Sequence, residues 1–346
     1  MKEIKISVFV VYDSVENSVF AGQVVQLIQK KIKQNRQVLL ISFEKNPHID
    51  HHKTIPNLAN LKKIIFRKIP FLGKTSLISA IYKVKNIIKP FTQYEIIARG
   101  PHAAWICANA IDFKKCRRFI VQARGLIAEE YRYTHGKEKN IIKKLIHHLR
   151  YKQYKNLEET VYRKIHVLPN AIIEAVSPAL KQFVIQNFGV AKDNVTIATE
   201  DIPERIIPSK IAMWRLEIRK KLNIPKQSIV YCYNGSIKPW QCPQKTILFF
   251  KERYAKNKNS FLLILTQNKD QFEALIKQNN IKETSYLVKR IDYTAIYAYL
   301  SACDYGIIFR EKDIINWVSR PTKVLEYRSV GLEIIHNNTI DWIIQN

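Results

Sequence analysis

Two successive series of short apolar runs alternating with helical segments, separated by one proline-containing break, constrain this chain more than any other feature. Short apolar runs that alternate with amphipathic segments specify a parallel sheet wrapped by helices. In the first series the strand candidates are residues 4–12, 38–43, 96–98, 119–122, 171–175 and 195–198. Val24, Leu27, Ile28, Lys31 and Ile32 share helical spacing, and residues 103–110 and 178–188 supply two more helices. The last of these runs into Gly189, which suits a left-handed helix cap. Residues 139–163 are long, basic and helical in spacing. Periodicity then stops at 199–208, TEDIPERIIP, where Pro203 and Pro208 stand in a polar run and predict an interdomain connection. The second series has helices at 211–222, 244–254, 270–279, 294–301 and 323–328 and strands at 229–233, 261–266, 286–288 and 305–309. A length of 346 residues suits two domains. The expectation is an α/β protein of two Rossmann-like domains, 1–205 and 206–346, facing each other across a cleft.

Composition limits the partners. At 47% apolar and 25% charged the chain is a folding sequence rather than a disordered one. No apolar run approaches the ~20 residues that cross a bilayer. The opening MKEIKISVFVVYDS lacks the apolar block and cleavage site of a secretory signal, so the expected location is the cytoplasm. The five cysteines form no CxxC pair, and His51-His52 and His147-His148 are adjacent rather than a helical turn apart. No metal or other cofactor is therefore expected.

The charge is more telling. Lys and Arg number 57 against 29 Asp and Glu, a net +28 that attracts anionic partners. Residues 51–94 contain no acid but nine lysines and arginines. Within them Leu77, Ile81, Val84 and Ile88 share one helical face, flanked by Lys74, Lys85 and Lys89. Such a segment either lies on an anionic membrane surface or turns its apolar face to the sheet of its own domain. Nucleic acid is the rival polyanion, with Tyr131, Tyr133, Tyr151 and Tyr154 set among cations. No recognition motif accompanies them, which makes it the poorer partner.

Ligands of open α/β sheets gather beyond the carboxyl ends of the strands. Those positions hold Asp13-Ser14, Arg99-Gly100-Pro101-His102 and Gln122-Ala123-Arg124-Gly125 in the first series, and Asn234-Gly235-Ser236, Thr266-Gln267-Asn268, Lys289-Arg290 and Arg310-Glu311 in the second. Glycines and cations at strand exits suit a phosphate-bearing ligand. GxGxxG, GxxxxGK[ST] and GxSxG do not occur, which weakens the dehydrogenase, P-loop and nucleophile-elbow classes. The strongest local signal is 310–332, REKDIINWVSRPTKVLEYRSVGL, where Pro321-Thr322 opens a helix carrying Lys323 and Glu326. Lys323 and Glu326 either form a surface ion bridge or divide the work between a diphosphate at the helix start and the hydroxyls of a ribose.

These residues resemble the retaining glycosyltransferases of the GT-B fold, family 4. SACDYGIIFR followed by PTKVLEYRSVGL is similar to that family's donor-binding strand, loop and helix. YNGSIKPWQ resembles the glycine-containing opening of its second domain, and EAVSPALKQFVIQNFGV the stretch before the interdomain linker. IIARGPHAAWICANA and VQARGLIAEEYRY resemble segments of a subgroup that builds bacterial surface polysaccharides.

The resemblance implies a nucleotide-diphosphate sugar bound mainly by the second domain and a glycan or lipid-linked acceptor entering from the first, with the enzyme peripheral at the inner face of the membrane. Glu326 would hold the ribose, and Gly235, Arg310, Pro321, Thr322 and Lys323 the diphosphate. Lys238 or Arg290 would add positive charge to the leaving group, and Arg99, His102, Arg124 and Glu129 would meet the acceptor. His102, Lys238 and Glu311 are the catalytic candidates. Three departures accompany the likeness. Val318 stands eight positions before Glu326 where a second glutamate is common, leaving Glu311 as its substitute. Ser236 and Gln241 replace the usual arginine and lysine. Only twenty residues follow Glu326, and Glu333 stands in place of a Gly-Leu-Pro turn, which implies a C-terminally shortened copy and the alternative of an inactive GT-B-like protein.

Overall fold

A computed structural model describes residues 5–12, 15, 20–47, 55, 57–200, 202–203 and 205–345. Asp13-Ser14 lie outside the described residues. The chain divides into two compact units, Met1–Asp201 and Ile202–Asn346.

The N-terminal unit begins with β1 (Ile6–Val11), a π-helical turn (Phe20–Val25) continuing into α1 (Gln26–Lys33), and β2 (Gln37–Glu44). There follow β3 (Leu61–Arg67), α2 (Ile78–Ile88), β4 (Tyr94–Arg99), α3 (Gly100–Ala110), β5 (Cys116–Ala123), α4 (Ile127–His135) and α5 (Ile141–Ile165). β6 (Ala171–Ala175), α6 (Pro178–Phe188) and β7 (Val195–Ile197) close the unit. The strands form one sheet in the order β3-β2-β1-β4-β5-β6-β7, each pairing parallel. All six residues of β4 are buried, as a central strand covered on both faces requires. Ser177 caps α6 by accepting from the Leu180 amide at 3.0 Å, and Gly189 ends it at φ 66°.

The basic stretch 62–91 packs its helical face into its own domain, while Ile69 and Leu72 are exposed. Its first part is the edge strand β3, whose lysines keep an open sheet margin soluble. On α2 and just before it, Leu77, Val84 and Ile88 are buried and Ile81 is half-buried, so the apolar face found in the sequence is used up inside the unit.

At the amino-terminal edge of this sheet Glu95 is 0% exposed. It accepts from Ser7 Oγ at 2.6 Å, pairs with Lys31 at 3.4 Å and is bonded by Arg36. Burial pushes its carboxyl up, but Lys31, Ser7 and Arg36 together outweigh burial and hold it below the usual carboxylate range.

The C-terminal unit contains α7 (Pro208–Lys221), β8 (Ile229–Asn234), α8 (Pro243–Lys256), β9 (Ser260–Leu265), α9 (Lys269–Gln278) and β10 (Tyr286–Lys289). It continues through α10 (Ile296–Ser301), β11 (Tyr305–Ile308), α11 (Ile314–Trp317), α12 (Thr322–Ser329), β12 (Glu333–His336) and α13 (Asp341–Ile344). The sheet order is β10-β9-β8-β11-β12, again parallel. Alternate residues serve opposite faces. Val230, Cys232 and Leu263 meet Ile218, Leu300 and Tyr327 from α7, α10 and α12. Tyr233, Leu262 and Ile264 meet Ile247, Phe250 and Phe272 from α8 and α9. Gly306 on β11 admits the Tyr327 ring, since a Cβ there would stand 2.4 Å from it. That close approach seats α12 against the sheet.

Candidate functional site

The polar cluster at the carboxyl ends of β8 and β11 is built outward from Gly235. Its amide donates to the Leu265 carbonyl at 3.0 Å, tying the turn after β8 to β9. A Cβ at Gly235 would lie 2.7 Å from Gln241 Oε1 and 2.9 Å from Lys323 Nζ. A bare glycine therefore lets Gln241 and Lys323 meet over the turn. Gln241 Oε1 accepts from Lys323 Nζ at 3.1 Å and from the Ser236 amide at 3.2 Å, with the Tyr233 hydroxyl also 3.2 Å away.

Glu326, one turn into α12, is 4% exposed and accepts from Asn234 Nδ2 at 2.6 Å through Oε2. The Tyr327 hydroxyl accepts from the Asn234 amide at 3.0 Å, so the end of β8 is held by two successive residues of α12. The surface ion bridge considered from the sequence is overturned, because Glu326 is buried on Asn234 and Lys323 is bonded to Gln241. Burial pushes the Glu326 carboxyl up, against the pull of Lys323 and Asn234. Burial likewise pushes the Lys323 ammonium down, helped by Arg310 and Lys238 and opposed by Glu326. The pair is poised toward neutrality.

Arg310, at the end of β11, is buried, and burial lowers its pKa while the phenols of Tyr233 and Tyr327 oppose that shift. Asn337 fixes its backbone from both sides, accepting from the Arg310 amide at 3.1 Å and donating to the Arg310 carbonyl at 2.7 Å. Lys238 is exposed, with Nζ 4.9 Å over the Trp240 ring. Pro321 is the N-cap of α12 and its side chain makes no cap hydrogen bond; Pro321 and Thr322 are half-buried. Gly235, Lys238, Arg310, Lys323 and Glu326 are thus gathered around one helix start, three basic side chains to one buried carboxyl group.

Two candidates of this unit stand elsewhere. Arg290 is exposed beyond the edge strand β10, where it pairs with Asp270 at 3.4 Å. Glu311 is exposed beside Arg310, and its carbonyl accepts from Asn316 Nδ2 at 2.9 Å. Val318 is buried, 1% exposed.

In the N-terminal unit Arg99 ends β4 and Arg124 follows β5. Both guanidinium groups donate to Gln23 Oε1, at 3.0 and 2.5 Å. His102 is 8% exposed and enclosed by aromatic rings, stacked on Tyr12 at 5.2 Å and edge-on to Phe71 at 4.7 Å and Tyr154 at 5.8 Å. Glu129, on α4, accepts from the Tyr151 hydroxyl at 3.0 Å and pairs with Arg132 at 2.5 Å. The structure therefore joins Arg99 to Arg124 through Gln23, packs His102 among aromatic rings and ties Glu129 to Tyr151 and Arg132. A cavity of about 690 Å³ lined by Ile6, Gln37, Val38 and Phe91 opens at the other, amino-terminal end of this sheet. No group of three metal-ligating side chains occurs among the described residues.

Gln241, Tyr327 and Asn337 around α12, and Gln23 between Arg99 and Arg124, are cluster members that the sequence does not single out as site residues. Asn234 stands among the strand-exit positions, and Gln241 is noted only as a replacement for an expected lysine. Nothing in the sequence marks Tyr327 or Asn337.

No protein-family model and no curated protein matches the sequence. Solved structures do match the fold. The glycosyltransferase WaaG, involved in lipopolysaccharide biosynthesis, aligns over 98% of this chain and 83% of its own at 13% identity and a TM-score of 0.65. A glycosyltransferase from Rickettsia africae ESF-5 aligns over 97% and 79% at 14% identity and TM-score 0.65. TarM aligns over 97% and 85% at 9% identity and TM-score 0.64. At such identities the likeness is one of architecture: the chain has the α/β GT-B fold of these structures.

Proposed function

We propose that this chain is a glycosyltransferase that moves a sugar, with retention, from a nucleotide-diphosphate sugar to a glycan or lipid-linked acceptor. The observation that carries it is the gathering of Arg310, Lys323, Lys238 and Glu326 around the start of α12, on a fold shared with glycosyltransferases. The helix start and Lys323 take the diphosphate, whose negative charge favours the protonated Lys323 ammonium. Glu326 accepts the ribose hydroxyls. Chemistry is electrostatic and positional: cations stabilise the departing diphosphate, and no side-chain nucleophile is required. Arg99 and Arg124 are the acceptor-side cations, and no metal takes part.

A second possibility is a protein that binds the nucleotide sugar without transferring it. The buried, apolar Val318 favours it, since the common second carboxylate is absent and Glu311 stands exposed. A thermal-shift screen of nucleotide sugars, followed by transfer assays with radiolabelled donor, separates the two. A donor-dependent rise in Tm that disappears in Glu326→Ala, together with label transfer, is the expected outcome. Binding without transfer establishes the second function. A shift that survives Glu326→Ala contradicts the ribose role, and no shift with any donor sinks both.

A further inference from the structure

Helix α5 is two different helices in one. Its C-terminal half buries Leu157, Val161, Tyr162 and Ile165. Its N-terminal half leaves Ile141, Ile142, Leu145, Ile146 and Leu149 between 46% and 83% exposed. At ~100° per residue these five span an arc of about 140° on one face. The opposite face is the one that packs on α4, where Tyr131 meets His147 through a 2.7 Å hydrogen bond and Tyr151 reaches Glu129. The apolar stripe therefore points away from its own unit. Lys143 and Arg150 border one edge of it and Lys144 and Lys155 the other. Lys152 alone falls within the arc, near its end, where a long stem can cover apolar surface while its charge reaches outward.

From the stripe and its two basic margins we infer that the N-terminal half of α5 is a membrane-docking surface that lies in the headgroup region of an anionic bilayer. Five contiguous large apolar side chains on a soluble surface call for a partner. The surrounding charge selects which one. Residues 137–156 carry seven lysines and arginines against the single acid Glu138. A second copy of this chain would bring a net +28 against +28, whereas anionic headgroups complement the lysines and acyl chains the stripe. An in-plane contact is the form available, since no helix among the described residues is long and apolar enough to cross a membrane. The surface belongs to the N-terminal unit and is independent of what the other unit binds.

The test is flotation of the full chain with vesicles of neutral lipid alone or of neutral and anionic lipid mixed, at low and high salt. Wild type should float with the mixed vesicles and release as salt rises. The triple variant Ile142→Ser, Leu145→Ser, Leu149→Ser should lose at least about tenfold in partitioning, and so should Lys143→Glu with Lys144→Glu. All these side chains are exposed, so the Tm of both variants should match wild type. Leu72→Ser with Tyr82→Ser, which alters exposed apolar groups near and on α2, should float normally. Wild type that stays with the soluble fraction, or a triple variant that floats as well as wild type, overturns the assignment. A concentration-dependent dimer broken by the triple variant, without vesicle binding, overturns it in favour of a second copy.

Discussion

Glu95 and Glu326 are both buried carboxylates beside a lysine, one in each unit, yet their surroundings treat them in opposite ways. Glu95 lies near the amino-terminal edge of its sheet with two cations and a hydroxyl on it, and is held ionised. Glu326 lies at the carboxyl ends of its strands with a neutral amide on it and its neighbouring lysine turned to Gln241, and is pushed toward protonation. The first arrangement holds its charge with cations already in place; the second leaves charge to be supplied. A raised carboxyl is not by itself a site. Glu158 is pushed up to about 8 by burial, against two backbone amides, while it caps α4 by accepting from Ile127 and Ala128. Glu326 differs in the cations and glycine that converge with it at the ligand-binding end of the fold.

Removing Glu95 gives the largest expected effect. Glu95→Ala strands buried Lys31 with Glu200 as its remaining ion partner at 3.3 Å, and should cost about 3 kcal/mol in urea unfolding at neutral pH. The folded carboxyl lies below its unfolded value of about 4.5, so its contribution is present above that pH and is lost as pH falls through the folded value. The gap between wild type and variant should narrow only in that acid window. Full stability of the alanine variant at pH 7 would remove the contrast.

Glu326→Gln should act with the opposite sign. A carboxyl raised on folding makes the native state less stable as pH climbs above the unfolded value of 4.5. Replacing it with the neutral amide should therefore stabilise the empty protein at pH 8, by roughly 1 kcal/mol, with the gain vanishing near pH 4. Binding of a nucleotide sugar should fall in the same variant. Stability and binding moving together, rather than apart, would class Glu326 with Glu95.

Much of this contrast was legible in the sequence. Two alternating series and the strand-exit residues were enough to place Gly235, Arg310 and Glu326 at the ends of β8 and β11 and in α12. Two strands were missed for local reasons: β3 reads LKKIIFR, with lysines where an interior strand is apolar, and β12 reads EIIH, too short to show a period. The partners of Glu326 and Lys323 were hidden because they depend on side chains 92 and 82 positions away in sequence. Gln241 shows the cost of reading positions singly. As a replacement for an expected lysine it looks like a loss of charge, yet its oxygen is the acceptor that holds Lys323, and a lysine there would repel it. Likewise the membrane candidate at 62–91 rested on a pattern that fits burial and lipid equally well, and only packing separated it from α5.

Arg290 supplies the smallest expected effect and the finest test of what sets the α12 cluster apart. It carries the same charge as Arg310 and also follows a strand of the C-terminal sheet, but it is exposed, and its pairing with Asp270 is open to solvent. An exposed pair of this kind contributes about 0.5 kcal/mol or less, because water and salt screen it and ordering two long side chains costs entropy. Arg290→Ala should leave Tm within a degree or so of wild type. If donor binding depends on cations that converge on the start of α12, the ligand-induced shift should also be unchanged, while Arg310→Ala abolishes it. A shift lost equally in both variants would mean that net charge at the strand ends, not convergence around Glu326, selects the ligand. Titration calorimetry of the two variants at low and high salt reads that difference directly, since a diffuse field fades with salt and a buried contact does not.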